Sequence, residues 1–355
     1  AECEPLIACD EALMQERSSL IVEGARDLLR LTSAKTVLIA VESNKTHAIH
    51  QLRQALASST HPAITLVLVP PIYPQGGEKQ LIQTLTGMEV PVGGKPSDIG
   101  MLCLNVATAV SVHEALSKGR PQTHRIVTVT GRGIKRPQNL EVPFGTPIKT
   151  LIREAGGTTS DRVRMVIGGP MMGFEVFSDR VPVTAAVNCI WVEPLDERST
   201  STQSSQPCIR CGACMEVCPM HLLPQQLYWF SRSHQEDRLL DHHLPDCIEC
   251  GACDVVCPSF IPLSQTFKQQ KVLIREKASQ AKKNQEAQLR FEKRSQRLDT
   301  HKEERLRAQE QQRSLINQRS TPNIQEAIER AKRKRLEKQP AGSEHLNPSS
   351  EDEHS

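Results

Sequence analysis

Apolar residues in the first third of the chain follow two alternating patterns. Between positions 11 and 31 they recur every three or four residues, which predicts an amphipathic helix. The uninterrupted apolar runs at 36–41 and 64–69 are typical of buried strands. Further helices are predicted at 46–57, 80–86 and 106–116. This alternation favours an α/β unit with a parallel sheet over residues 1–122.

The pattern changes at about residue 123. Short strands are predicted at 127–130, 140–142, 164–167 and 187–192, with one helix at 148–155. The β-β-α-β order predicts a small β-grasp (α+β) domain over 123–195. Its loop Gly168-Gly169-Pro170-Met171-Met172-Gly173 is either a turn or a phosphate cradle. The turn is favoured, because no clear helix begins directly after the loop.

The last hundred residues lose apolar periodicity. Residues 263–340 are rich in Gln, Lys, Arg and Glu, and no heptad pattern persists for three repeats, which predicts a charged helical tail of low stability. Residues 261–340 hold 21 Lys and Arg against 10 Asp and Glu. Mixed signs and only two aromatic residues argue against nucleic-acid binding, so a membrane surface or an acidic partner subunit is the favoured target. Residues 341–355 are expected to be disordered.

Eight of the twelve cysteines form two identical signatures separated by a predicted helix at 222–240. The signatures are Cys208-x-x-Cys211-x-x-Cys214-x-x-x-Cys218-Pro219 and Cys247-x-x-Cys250-x-x-Cys253-x-x-x-Cys257-Pro258. This spacing is typical of two-cluster ferredoxins, in which the fourth cysteine binds the other cluster. We therefore expect a ferredoxin-like α module over 207–262, entered through a Ser/Thr/Gln linker at 196–206, with two [4Fe–4S] clusters.

Crossed ligation assigns four cysteines to each cluster. The first cluster is expected to be held by Cys208, Cys211, Cys214 and Cys257, and the second by Cys218, Cys247, Cys250 and Cys253. Zinc sites use paired CxxC or mixed Cys/His ligands, and disulfide frameworks occur in small secreted chains, so neither explains the pattern. Two such clusters indicate electron transfer.

The remaining features bear on location. No run approaches the roughly 18–20 apolar residues that span a bilayer, and no signal peptide is visible. Oxygen-sensitive clusters and unpaired thiols point to the reducing cytoplasm. The chain begins at Ala1 rather than at Met, so we expect a fragment whose N-terminal part is missing.

Several further motifs, taken together, identify a family. They are Ala1-Glu2-Cys3-Glu4-Pro5, Tyr73-Pro74-Gln75-Gly76-Gly77-Glu78-Lys79, Asn105-Val106, Lys135-Arg136-Pro137 and the 168–173 loop. With the cysteine signatures, they resemble the C-subunit family of Rnf-type (Rsx) ion-translocating ferredoxin:NAD oxidoreductase complexes over about residues 1–265. That family is similar to the NADH-binding flavoprotein of respiratory complex I. The resemblance implies a Rossmann-like FMN/NADH domain, then a soluble-ligand-binding β-grasp domain, then the clusters.

The resemblance also implies cofactor-binding residues. Glu2 and Glu4 would line the nucleotide pocket; Tyr73, Gly76, Gly77 and Glu78 would border the flavin; Asn105 would contact the flavin or its phosphate. Glu78 has a second interpretation, as an acid stabilised by a helix N-terminus. The glycine-rich flavin loop of the family lies upstream of Ala1, so FMN and NAD(H) are expected in the full-length protein and are in doubt for this fragment.

The function implied is a peripheral subunit on the cytoplasmic face of the bacterial inner membrane. It would pass electrons between NADH/FMN and a ferredoxin-like redox partner through the clusters, bound to other membrane and peripheral subunits. Two alternatives remain open. One is a non-enzymatic subunit that carries clusters and docks other subunits. The other is an NADH-linked subunit of a soluble bifurcating enzyme.

Overall fold

The computed structural model describes residues 1–59, 62–195, 204–320 and 323–336. It divides into two units, Ala1–Arg275 and Glu276–Ser355. Most of the expected linker (196–203) and the expected disordered end (341–355) lie outside the described residues. Among the described residues, no helix is both long and apolar enough to cross a membrane.

The first part of unit 1 is a mixed α/β arrangement. Parallel strands β1 (Val37–Glu42) and β2 (Ile64–Val69) pair over six residues, with Val37 opposite Ile64. The helices are α1 (Cys9–Glu16), α2 (Ser18–Thr32), α3 (Thr46–Ser59), α4 (Glu78–Thr86) and α5 (Val106–Lys118). Their apolar faces bury a core that includes Leu13, Ile21, Val41 and Leu52.

The single helix expected over 11–31 is wrong, because the structure has two helices that meet at Arg17. The Arg17 backbone leaves the helical region (φ −130°, ψ 34°). Its guanidinium donates two hydrogen bonds to the Glu141 carboxylate, at 3.2 and 2.6 Å. Glu141 lies more than a hundred residues later in the chain, so this long-range ion pair at the break is invisible to local apolar spacing.

A five-stranded sheet follows, in the order β4-β3-β7-β5-β6. Its strands are β3 (His124–Thr130), β4 (Gln138–Pro143), β5 (Val163–Ile167), β6 (Phe174–Val176) and β7 (Cys189–Pro194). Helix α6 (Ile148–Glu154) packs Ile148 and Leu151 against the buried face of the sheet. Strand β6 was not expected from the sequence. It has only three residues and pairs with β5 across the 168–173 loop, which joins them.

The cysteine module repeats one backbone design twice. Each residue of the second signature lies 39 positions after its counterpart in the first. The short helix α7 (Ala213–Glu216) corresponds to α10 (Ala252–Val255) at the same offset. Positive φ angles also repeat, at Arg210 and Glu249 (58° and 59°) and at Gly212 and Gly251 (83° and 73°). The two signatures therefore fold into matching loops.

The helix expected over 222–240 is also wrong as a single element. It is α8 (Pro224–Arg232) followed by α9 (Glu236–Asp241), with His234 between them at a positive φ of 55°. Leu222, Leu227 and Leu239 are buried. Leu223 is exposed, because it occupies the N-cap position before Pro224, where the helical face has not yet begun.

The cysteine module also includes the start of a long helix. Helix α11 (Leu263–Ser320) corresponds in its first turns to α8, again 39 residues earlier. Leu263 and Phe267 are buried in the same apolar cluster as Leu227 and Leu244. The sequence-based boundary at 262 therefore falls where the helix starts, and the first turns of that helix pack with the cysteines.

Unit 2 contains the remainder of α11 and helix α12 (Asn323–Leu336). Almost all side chains described in it are exposed. Ion pairs one turn apart, Glu303–Arg307 and Glu326–Arg330, lie along its surface at 3.8 and 3.4 Å. Such exposed pairs contribute about 0.3–0.5 kcal/mol each, so they add little to the stability of this helix.

Candidate metal centres and their neighbours

The eight signature cysteines line two separate cavities, four to each. The first cavity is lined by Cys208, Cys211, Cys214 and Cys257, and the second by Cys218, Cys247, Cys250 and Cys253. The fourth cysteine of each signature thus joins three from the other. Ligation itself stays a prediction, and this grouping supports it.

Each cavity brings four cysteines together. Within the described residues, no set of three or more His, Cys, Asp or Glu side chains is placed to hold a single metal ion. Ligands of one zinc ion lie about 2.3 Å from it and therefore close to one another. Four thiolates on four different irons of a cubane are spread more widely. Four cysteines at one cavity match the number of thiolates that one [4Fe–4S] cubane takes, one to each iron.

Backbone N–H groups point at several of the sulfurs. The Leu222 N–H donates to Cys218 Sγ and the Glu249 N–H donates to Cys247 Sγ, both at 3.4 Å. Burial raises the pKa values of the thiols of Cys214 and Cys247. Cys214 and Cys247 would hold a cluster as thiolates, so its binding would release their protons.

The second cavity adjoins the two preceding parts of unit 1 through three contacts. The Tyr73 hydroxyl donates to the Cys250 carbonyl at 2.5 Å. The Gln80 side-chain amide lies 3.0 Å from the sulfur of Met220, two residues after Cys218. Gly251 packs so closely on the 168–173 loop that a Cβ there would come within 2.8 Å of the Met171 carbonyl oxygen. Two segments far apart in sequence thus enclose the loops that carry this cysteine set.

The 168–173 loop binds a carboxylate of the protein itself. Glu4 Oε1 accepts hydrogen bonds from the Met171 N–H at 2.7 Å and from the Met172 N–H at 3.1 Å. A side chain at Gly169 would collide with Glu4. Burial raises the pKa of Glu4, and the two N–H donors act against that rise. The loop is a turn, and its amides are used within the fold.

Glu2 and Asn105 lie around a buried acid, Asp10. The Asn105 side chain caps α5 by accepting from the Ala107 N–H at 2.8 Å and donates to Asp10 Oδ2 at 2.5 Å. Burial, with the nearby Asp10 charge, raises the pKa of Glu2 to about 7. Sequence reasoning missed Asp10, which carries no motif signal beyond its place at the start of α1.

Three candidate residues lie at the start of α4. Gly76 packs against residues 1–3, where a Cβ would come within 2.7 Å of the Ala1 carbonyl oxygen. Gly77 is the N-cap of α4, and Glu78 is the exposed first residue of that helix. Tyr73 and Gly76 therefore lie beside the N-terminal segment, which contains Glu2 and Glu4. The position of Glu78 matches its second interpretation, an acid stabilised by the N-terminus of a helix.

These residues fit FMN only in part. A flavin phosphate needs backbone N–H donors. Two sets of donors in this region, the Met171–Met172 amides and the start of α5, already donate to Glu4 and Asn105. The carboxylates and Tyr73 are in place, but the described contacts show no phosphate cradle among these donors.

A lysine that sequence reasoning placed in the tail lies beside the second cavity. Lys271 Nζ donates to the Cys247 carbonyl at 2.8 Å and pairs with Glu249 Oε1 at 2.6 Å. Its side chain is 8% exposed. In the sequence, the one signal that Lys271 lies near the cysteines is its offset of 39 residues from Arg232, the last residue of α8.

The first cavity has different surroundings. Ile209, which lines it, is 67% exposed, and Cys211 is exposed. Val255 and Phe260, which flank Cys257 in sequence, are 70% and 46% exposed. Apolar side chains of this size at the surface beside a cavity mark a candidate contact area.

Three family models match consecutive parts of the chain. A Nuo51 FMN-binding domain matches residues 1–114, an SLBB domain matches 126–175 and a 4Fe-4S dicluster domain matches 207–261. The mixed α/β part, the five-stranded part and the cysteine module each have a counterpart. The expected pairing of an FMN-binding-type domain with a two-cluster module is confirmed at this level.

Solved structures give a weaker likeness. An NAD+-reducing [NiFe]-hydrogenase in the air-oxidized state aligns with a TM-score of 0.46 and 19% identity, covering 55% of this chain and 39% of that one. The H2-reduced state aligns with a TM-score of 0.47 and 18% identity, covering 54% and 38%.

Curated relatives give the strongest likeness. The C subunit of the ion-translocating oxidoreductase complex of Salmonella gallinarum is 47% identical over 306 residues, which cover 86% of this chain and 45% of the relative. The Edwardsiella ictaluri protein of the same name is 45% identical over 331 residues, covering 93% and 41%. The chain spans less than half the length of these relatives. Over most of its own length it is thus a homologue of the C subunits of ion-translocating oxidoreductase complexes.

Proposed function

We propose that this chain is an electron-transfer part of an ion-translocating oxidoreductase complex and holds two [4Fe–4S] clusters. The observation that carries the proposal is the division of eight cysteines into two cavities of four, crossed between the signatures. Cysteine-held clusters transfer single electrons, and their potentials depend on nearby charge and hydrogen bonds. The eight cysteines act as ligands, and no general acid or base is required.

The first part of unit 1 is proposed as the nucleotide side of the protein, a Rossmann-like FMN/NADH region, followed by a β-grasp domain. When bound, FMN would couple the two-electron chemistry of NADH to one-electron carriers. Among this chain's own residues, Glu4 anchors the N-terminal segment to the 168–173 loop. Tyr73 anchors the same region to the loop that carries Cys250.

These contacts suggest an order for the two clusters. The second cavity adjoins the nucleotide side through Tyr73 and Gln80. The first cavity has Ile209 and the exposed Cys211 at its edge. We therefore propose that the second cluster exchanges electrons with the nucleotide side, and that the first faces a ferredoxin-like partner or another subunit. The placement proposed is peripheral, at the cytoplasmic face of the membrane.

Iron and sulfide analysis of anaerobically purified protein tests the proposal. Two clusters require eight irons and eight acid-labile sulfides per chain. A value near four, together with an EPR spectrum of one isolated centre, would contradict it. Zinc in place of iron after anaerobic purification would contradict it as well.

A cluster-carrying docking subunit with no nucleotide chemistry is the second candidate. It is favoured by one observation: the Met171 and Met172 amides already bind Glu4 rather than being free for a phosphate. Titration with FMN, followed by flavin fluorescence, separates the two. Saturable binding at one FMN per chain supports the nucleotide-side proposal, and absence of binding by the complete protein supports the docking role.

A further inference from the structure

Lys271 occupies an unusual position for a residue of a charged helix. Its ammonium group contacts two groups of the second signature loop, the Cys247 carbonyl at 2.8 Å and the Glu249 carboxylate at 2.6 Å. Its neighbour Lys268 reaches Glu249 only at 3.8 Å, and the Lys268 side chain is 52% exposed. Burying an ammonium group is costly unless it is paired and hydrogen-bonded, and Lys271 meets both conditions.

The position of Lys271 has a consequence for any cluster bound by Cys247. A positive charge held close to an iron–sulfur cluster stabilises the state with the extra electron, which raises the reduction potential. Because Lys271 is buried, its interaction with the cluster would be screened by water less than that of an exposed lysine. The negative charge of Glu249 opposes the charge of Lys271, so removing either side chain alone leaves the other charge uncompensated beside the cluster.

Three other charged groups lie around the same loop, and Asp246, which precedes Cys247, lies 3.6 Å from the His243 ring. Asp254, next to Cys253, accepts from the Ser264 N–H at 2.9 Å and from the Ser264 hydroxyl. Lys268 lies on the exposed side of Glu249. Among the described contacts, Lys271 is therefore the buried cation that touches a residue of the second cysteine set.

The first cavity has a different charge arrangement at the matching positions. Thirty-nine residues before Lys271 stands Arg232, which is exposed, and 39 residues before Glu249 stands Arg210, also exposed. Two basic residues cannot form the ion pair that Glu249 and Lys271 make. The repeat therefore distinguishes its two halves at these two positions.

We propose that Lys271 is a positioning residue that fixes the second signature loop and sets the potential of the second cluster. With Lys271 in place, that cluster accepts an electron more readily than it would beside a neutral side chain. This inference rests on the proposed function, because it requires both clusters. It explains why the first turns of α11 belong with the cysteine module.

The test is an anaerobic redox titration followed by EPR on Lys271→Met. The expected result is a lower midpoint potential for the second cluster, with at least a tenfold change in the equilibrium constant for its reduction, which is about 59 mV for one electron. The first cluster should keep its potential. The first-cluster signal is assigned beforehand with Cys208→Ser. Arg232→Met and Lys268→Met are the matched controls and should shift either cluster by less.

Glu249→Gln gives the opposite sign and guards against loss of the cluster in the lysine variant. Removing the carboxylate leaves Lys271 unopposed, so the potential of the second cluster should rise. Lys271→Arg keeps the charge and should stay near the original value. Shifts of the same sign in Lys271→Met and Glu249→Gln, equal shifts of both clusters, or no shift would overturn the inference. Fewer than eight irons in the unaltered protein would instead reject the proposed function.

Discussion

The two cysteine cavities share a ligand spacing and a backbone but differ in what surrounds them. Tyr73 and the Met171 loop contact the loop that carries Cys250, which is buried, and Phe267 of α11 lines the second cavity. The first is bordered by the exposed Ile209 and Cys211. A duplicated signature therefore supplies equivalent ligands, while residues outside it decide how each cluster is reached.

The difference in surroundings suggests a division of labour. The loops of the second cavity contact segments at positions 73, 80 and 171, all from the parts that precede the cysteine module. The first cavity has one exposed cysteine and several exposed apolar side chains beside it. This difference is the basis of the proposed order, in which the second cluster exchanges electrons with the nucleotide side and the first with a partner.

The largest expected effect comes from deleting the start of α11. Truncation after Arg275 should keep eight irons, because the buried contacts of the helix lie before that point. Truncation after Thr266 removes Phe267 and Lys271, and the second cavity should lose its cluster first. Iron analysis after anaerobic purification measures both. Equal iron content in the two truncated proteins would show that the helix start is dispensable.

Phe267→Ala should destabilise the cysteine module by about 3–5 kcal/mol, since it empties a fully buried aromatic position next to the second cavity. Phe291→Ala is the matched control, because Phe291 lies in the same helix and is 72% exposed, and its effect should stay within about 0.5 kcal/mol. Anaerobic urea unfolding followed by circular dichroism measures both. Similar losses in the two variants would contradict the placement of Phe267.

The pH dependence of stability should show the buried carboxylate of Glu2. Its pKa is raised from 4.5 to about 7 in the folded chain, so the folded state binds the proton more tightly than the unfolded state. The contribution of Glu2 to the free energy of unfolding is therefore greatest below about pH 4.5, and it is lost as the pH rises towards 7. Glu2→Gln should remove part of that loss. Urea midpoints at about pH 5 and pH 7.5 measure it, and an unchanged difference would contradict the burial of Glu2.

The smallest expected effect is that of Tyr73→Phe. It removes one hydrogen bond to the Cys250 carbonyl, worth about 0.5–1.5 kcal/mol, and should alter the EPR signal of the second cluster only. Tyr228→Phe is the matched control, since Tyr228 lines the first cavity. A change in the first-cluster signal after Tyr73→Phe would show that the contact between the nucleotide side and the second cavity is misassigned.

Local spacing predicted much of this molecule. The runs at 36–41 and 64–69 became β1 and β2. The cysteine spacing predicts two ligand sets, and the lining of the two cavities supports that prediction without testing ligation. Spacing failed at two helix boundaries, one beside a distant ion-pair partner and one set by an adjacent proline. Arg17 interrupts a helix beside Glu141, and Pro224 delays another so that Leu223 remains exposed.

The site was harder to predict because its contacts join residues that lie far apart in the chain. Lys271 resembles the many other lysines of the tail in sequence, since its pairing with Glu249 and Cys247 depends on how α11 packs. Resemblance places Glu4 in a nucleotide pocket, whereas its contact with the Met171 and Met172 amides depends on a loop 167 residues away. Those nucleotide roles stay predictions.

The most direct test of crossed ligation compares four variants, each with one cysteine replaced by alanine. Each of Cys257→Ala, Cys211→Ala, Cys218→Ala and Cys250→Ala is purified without oxygen, reduced and examined by EPR and iron analysis. The account predicts that Cys257→Ala and Cys211→Ala leave the same residual cluster spectrum, and that Cys218→Ala and Cys250→Ala leave the other. A residual spectrum of Cys257→Ala that matches that of Cys250→Ala would contradict the crossing and, with it, the assignment of the two cavities.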